Sequence, residues 1–345
     1  MPDLLKGSFR KVVLVALLLG LVVTAILIRV GFGEGANADR WETLRIPAQL
    51  DGDYITALRY DAAIGEVLTG FESGHVASTA RDGRATFIHG HNRRVNYVSV
   101  SPDGDLVASS AGETVLWNRR TGETEATLEK VNGPVIWSEA GDVLFVLQRG
   151  IVKIYDVERR HFHSAEMRCE GAATAIALNQ EKGILAAGSS MGRICLWKVL
   201  ESGRFRGLDL MLKTAKSDRR NHIQAMAFSD HGDELLVITE LEGVKRFSTS
   251  DLSLIQSKSP QLTRVMNARV LNRNTGAVAL AGQLKTWDGD EDHFVELFNL
   301  KTGQSEILKA KTSTLNALAV TDDNRQIVIG NVVKYLVMDV PPAFR

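Results

Sequence analysis

VNYVSVSPDGDLVASSAGETVLWNRRTGE, residues 95–123, decides the fold. It opens on an apolar, β-branched and aromatic run, VNYVSV (95–100). The turn SPDGD (101–105) follows, then LVASS (106–110), TVLWN (114–118) and a second turn, NRRTGE (118–123). Pro, Asp, Asn and Gly supply the backbone angles and local hydrogen bonds that tight turns need. Short runs rich in Val, Thr, Tyr and Trp between such turns read as strands, and connections this short join them antiparallel.

The same grammar recurs on both sides. Strand openings read YITALRY (54–60), VNYVSV (95–100), VIWSE (135–139), TAIALN (174–179), IQAMAFS (223–229), MNARVLN (266–272) and LNALAVT (315–321). Their starts lie 41, 40, 39, 49, 43 and 49 residues apart. Second strands such as VLFVL (143–147), ILAAG (184–188) and LLVIT (235–239) follow, then third strands such as VKIYD (152–156), ICLWK (194–198) and VELFN (295–299). A four-stranded propeller blade takes about 40–45 residues. The spacing predicts an all-β, seven-bladed β-propeller of four-stranded antiparallel blades over residues 41–345. The last unit supplies only three strands, while WETLRIPA (41–48) stands as an orphan before the first. Pairing the orphan with the last blade closes the ring and removes exposed sheet edges.

The units resemble WD repeats. Gly90-His91, SPDGD and Trp117-Asn118 stand where that family has its Gly-His dipeptide, turn and Trp-Asp pair, and Tyr155-Asp156 and Trp197-Lys198 look like degenerate counterparts. The resemblance makes His91, Trp117, Tyr155, Asp156 and Trp197 structural repeat positions. The family's Asp before the third strand is missing, with Ala111 and Met191 near that place. The resemblance therefore implies that the family's buried His–Ser–Asp–Trp network is broken here. It also implies a protein that binds partners.

Residues 12–28, VVLVALLLGLVVTAILI, carry no charge, and the apolar stretch continues to Phe32 across Arg29. About 17–25 apolar residues span a bilayer as a helix, whereas the core of a cleaved signal is about 7–15 long. The reading is a signal-anchor: tail 1–11, transmembrane helix 12–32, linker 33–40. Cleavage after Ala38, in the A-x-A stretch Ala36-Asn37-Ala38, stays open. Lys6, Arg10 and Lys11 before the span against Arg29 and Arg40 after it favour a cytoplasmic N-terminus, with the propeller on the periplasmic or other extracytoplasmic side.

Lys plus Arg equals Asp plus Glu at 41 each among 345 residues, which argues against a nucleic-acid partner. Cys169 and Cys195 are the two cysteines. Neither forms a CxxC pair, and the sequence brings them no closer than adjacent units, so they read as inert buried thiols, with a bridge between them in an oxidising compartment left open. No GxSxG, HExxH, P-loop or dinucleotide glycine pattern is present, and no cofactor or catalytic residue is assigned. Asp288, Asp290 and Asp292 alternate as calcium-loop ligands do, but without the loop glycine or the closing Glu they are weak metal candidates.

Two insertions hold the partner-binding candidates. Trp287 lies in the polar segment 282–294, and exposed Trp is favoured as an interface anchor. Arg204, Arg206, Arg219 and Arg220 lie in the basic segment 201–222, suited to acidic partners or headgroups. The expected function is a non-catalytic, membrane-tethered interaction scaffold, a subunit or assembly factor of a membrane protein complex. The alternative is a small-ligand sensor or propeller enzyme using the central channel, whose strands contribute mostly Ala, Val, Ser and Asn, such as Asn96, Asn267 and Asn316.

Overall fold

The computed structural model describes residues 42–45, 52–61, 64–80, 84–148, 150–164, 166–199, 205–213, 221–285, 291–309, 315, 317–321, 324–330 and 334–345. The segment 12–32 and its flanks lie outside them. Among the described residues no helix is long and apolar enough to cross a membrane.

Residues 41–345 form one compact unit of seven antiparallel sheets. β1 (Glu42–Arg45) belongs to the last sheet and is taken up below. The first blade is β2 (Ile55–Asp61), β3 (Glu66–Phe71), β4 (His75–Ala80) and β5 (Ala85–Gly90), and the second is β6 (Tyr97–Val100), β7 (Leu106–Ser110), β8 (Thr114–Asn118) and β9 (Thr124–Leu128). The third is β10 (Val135–Trp137), β11 (Val143–Gln148) and β12 (Ile151–Asp156), with β13 (His161–Phe162) and β14 (Met167–Arg168) both pairing with β12. Its outer strand is thus broken in two, where the repeat pattern predicts one.

The fourth blade is β15 (Ala173–Asn179), β16 (Ile184–Ser189), β17 (Arg193–Val199) and β18 (Phe205–Lys213). The fifth is β19 (Ile223–Phe228), β20 (Glu234–Thr239), β21 (Gly243–Ser248) and β22 (Leu254–Lys258). The sixth is β23 (Arg264–Asn272), β24 (Ala277–Lys285), β25 (Glu291–Asn299) and β26 (Ser305–Lys309). The seventh is β27 (Ala317–Val320), β28 (Gln326–Gly330) and β29 (Lys334–Asp339), completed by β1, which pairs with β29 from Glu42 opposite Val337 to Arg45 opposite Lys334.

The core is divided among the blade interfaces, and seven apolar clusters fill seven interfaces. Leu68 and Val76 meet Val95, Val107 and Trp117 between the first two blades. The cluster that closes the ring sets Ile55, Leu58 and Phe71 of the first blade against Ala317, Val328 and Tyr335 of the seventh. There the Tyr335 hydroxyl is hydrogen-bonded to Thr69 Oγ1 at 2.7 Å. A glycine on the second strand makes the close approach possible. A Cβ on Gly188 would sit 2.6 Å from Ile223 Cγ2, and one on Gly330 2.6 Å from Ile55 Cγ2, each across a blade interface. Only glycine admits a β-branched neighbour so close.

Cys169, just after β14, and Cys195, on β17, form a disulfide with Cα atoms 5.9 Å apart. This corrects the reading of two inert thiols. The broken outer strand of the third blade carries Cys169 against the fourth blade, within the separation a bridge requires.

Candidate functional site

Three of the four residues of the buried repeat network are joined in the second blade. Trp117 Nε1 donates to Ser109 Oγ at 2.6 Å, and Ser109 Oγ lies 2.6 Å from His91 Nε2. The His91 and Trp117 rings meet edge-on, 5.8 Å apart. The expectation of a broken network is corrected here, because Ser109 bridges the two rings although Ala111 stands near the family's Asp. In the third blade Asp156 accepts from the Arg159 backbone N–H at 2.7 Å and from Arg159 Nη1 at 2.9 Å. Its carboxyl is held below its ordinary range, first by that backbone bond. Tyr155 packs edge-on against Phe162 at 5.2 Å, and Trp197 is buried between the third and fourth blades.

Among the binding candidates, Arg206 lies on β18, whereas Arg204, Arg219, Arg220 and Trp287 lie outside the described residues. Asp288 and Asp290 also lie outside them, and Asp292 is on β25 opposite Leu284. Among the described residues no three His, Cys, Asp or Glu side chains cluster as a metal site.

A polar cavity opens at the ends of the first strands. Arg59, Arg269, Arg273, Arg345, Ala227 and Ala319 help line a space of about 500 Å³. Register explains the layer. β2, β15, β19 and β23 each carry a bulge near their start, immediately after Ile55, Ala173, Ile223 and Val265. Four residues after those positions come Arg59, Ala177, Ala227 and Arg269. Ala317 pairs with Gly330 as Ala57 pairs with Gly70, which puts Ala319 at the same level as Arg59. Small side chains therefore flank two arginines, from the first and sixth blades.

Arg269 donates through Nη1 to the Ala268 carbonyl at 2.8 Å and to Asn267 Oδ1 at 3.2 Å, both on its own strand. Burial pushes its pKa down to about 10, repulsion from Arg59 adds to this, and Tyr97 opposes it. Other sunken arginines are matched by acids. Arg119 joins buried Asp61 and reaches Glu66 at 3.0 Å, and Arg246 reaches Glu234 at 2.8 Å. Among the described residues no carboxylate pairs with Arg269 or Arg59. Asp230, on the same wall, is taken by Arg273 at 3.4 Å and by Asn274.

Against this geometry stand two likenesses to known proteins. Residues 83–118, from the outer strand of the first blade through the Trp117 strand, match the family described as WD domain, G-beta repeat. This stretch is similar to a WD repeat. The chain is also 31% identical over 137 residues to the small ribosomal subunit protein RACK1y of Oryza sativa subsp. japonica. That match covers 35% of the chain and 39% of the relative's length. With seven sheets in a ring, the fold is an all-β, seven-bladed β-propeller.

Proposed function

We propose that this propeller is a non-catalytic scaffold for other proteins, tethered to a membrane by residues 12–32 and working on the extracytoplasmic side as a subunit or assembly factor of a membrane complex. The stretch 83–118, similar to a WD repeat and set in a closed ring, carries the scaffold reading. Closure leaves each blade's loops fixed on a rigid frame, which suits loops to recognition. A relative that is by name a component of a ribosomal subunit is in keeping with it. The Cys169–Cys195 bridge supports the compartment, because disulfides persist where the surroundings are oxidising. Trp287, Arg204, Arg206, Arg219 and Arg220 are the partner contacts under this reading.

The test is a pull-down of the full-length tagged protein from its native membrane in mild detergent, with mass spectrometry of what co-purifies. Recovery of defined membrane proteins in fixed stoichiometry is expected, and Trp287→Ala is expected to weaken it without unfolding the chain. Recovery of the chain alone would refute the scaffold. Extraction of the chain from membranes by carbonate would refute the tether.

A further inference from the structure

We infer that the mouth of the central channel, at Arg59 and Arg269, is a binding site for a small molecule carrying two or more oxyanion groups. The site is independent of the scaffold reading, since it faces the channel and uses none of the residues assigned to partner proteins.

The charge balance is the first observation. Arg59, Arg269, Arg273 and Arg345 line the cavity, with Asp230 and the carboxylate that Arg345 carries at the end of the given sequence among its described lining. Asp230 already has Arg273 and Asn274 as partners. Asp322 and Asp323, next in sequence to the lining residue Thr321, lie outside the described residues. Two cations in one layer, Arg59 and Arg269, repel each other, and Arg269 is sunk among protein atoms on its own strand's carbonyl and amide. Arg269 is half-buried, and a partly desolvated cation with no carboxylate partner among the described residues is costly to fold around, so a site that keeps one is a candidate for function.

Shape is the second observation. Alanines at the same level in neighbouring blades, Ala227 and Ala319, leave the guanidinium groups room. About 500 Å³ falls in the range of small-ligand cavities. Asn324 also lines the space, as does Asn272, whose Nδ2 donates to the Arg345 main-chain oxygen at 3.2 Å. The planar guanidinium fork matches phosphate and carboxylate oxygens two at a time. A ligand with a single charge would leave one of the two arginines unmatched, which is why the inference is for two or more.

The experiment is calorimetric titration of the full chain, in detergent, with inorganic pyrophosphate in one arm and citrate in the other. One molecule per chain is expected, with affinity falling as salt is raised. Arg269→Met and, separately, Arg59→Gln should each weaken it roughly 10- to 100-fold, as expected for loss of a charged hydrogen-bonding partner. Tighter binding in the pyrophosphate arm would assign phosphate, and in the citrate arm carboxylate. Arg269→Met should also melt at a higher temperature than the parent without ligand, because it removes a charge that no carboxylate among the described residues pairs with. Failure of both anions to bind would overturn the inference. So would unchanged binding in both variants, or a lower melting temperature for Arg269→Met with binding retained, which would make the arginine a structural group.

Discussion

Reducing the Cys169–Cys195 bridge should destabilise the propeller by a calculable amount. The two cysteines are 26 residues apart in sequence. In the chain-entropy treatment, closing a loop of that length takes about 12 cal/mol/K from the unfolded chain, or about 3.5 kcal/mol at room temperature. The bridge joins the residue that follows β14, a strand two residues long, to the third strand of the next blade. Few ladder hydrogen bonds hold that segment otherwise, so the local effect should exceed the global one. The assay is urea unfolding followed by circular dichroism and tryptophan fluorescence, with and without dithiothreitol, on the parent and on a Cys169→Ala, Cys195→Ala double variant. Coincident transitions by the two probes would license a two-state free energy. The parent should lose about 3 kcal/mol on reduction. The double variant should sit near the reduced value and ignore the reductant. Hydrogen exchange at residues 161–169 should rise on reduction. A parent indifferent to dithiothreitol, or free thiols in the isolated protein, would refute both the loop argument and the compartment proposed above.

Other perturbations follow from single interactions. Trp117→Phe keeps the ring contact with His91 but removes the donor to Ser109, and should cost about 1 kcal/mol in chemical unfolding. Arg119→Met removes the cation from buried Asp61 and half-buried Glu66 across the interface of the first two blades, and should cost about 3 kcal/mol. Hydrogen bonds hold two carboxyls below their ordinary value of 3.8: Ser101 Oγ first for Asp103, and the Arg159 backbone N–H first for Asp156. A carboxyl depressed in the folded state contributes stability that is present above 3.8 and is lost as pH falls through its folded value. The melting temperature should therefore drop on the acid side below about pH 4, and Asp103→Asn with Asp156→Asn should flatten that drop while lowering the melting temperature at pH 7.

Blade number was legible because it rests on period, which survives heavy substitution. VNYVSV and LNALAVT share no motif, yet both begin a unit of the expected length and both become innermost strands, β6 and β27. One recurring signal went unread. LTGF (68–71), LAAGS (185–189) and QIVIG (326–330) each place a glycine on the second strand, at Gly70, Gly188 and Gly330. Each receives a β-branched side chain from the adjoining blade: Val95, Ile223 and Ile55. That spacing marks the interface as clearly as Trp117 marks the third strand. The disulfide was hidden for a different reason. Its geometry depends on the splitting of one outer strand into β13 and β14, and HFHSAEMRC (161–169) carries no period that would announce the split.

The channel arginines show why a propeller's inner lining resists sequence reading. Side chains alternate across a strand, so which residues face the channel depends on register, and one inserted residue reverses the assignment. In the openings YITALRY (54–60) and MNARVLN (266–272), Arg269 falls under Ala57, two residues short of Arg59. The ladder says otherwise. β23 has a second bulge between Val270 and Asn272 as well as the one after Val265, and pairing relative to the first bulge sets Arg269 beside Arg59. Two cations set two residues out of line in sequence thus become neighbours in one layer. A residue that looks like an isolated exception in its own strand can be half of a pair once the bulges are counted. For a ring built of bulged strands, lining chemistry has to be read from hydrogen-bond register before it is judged thin.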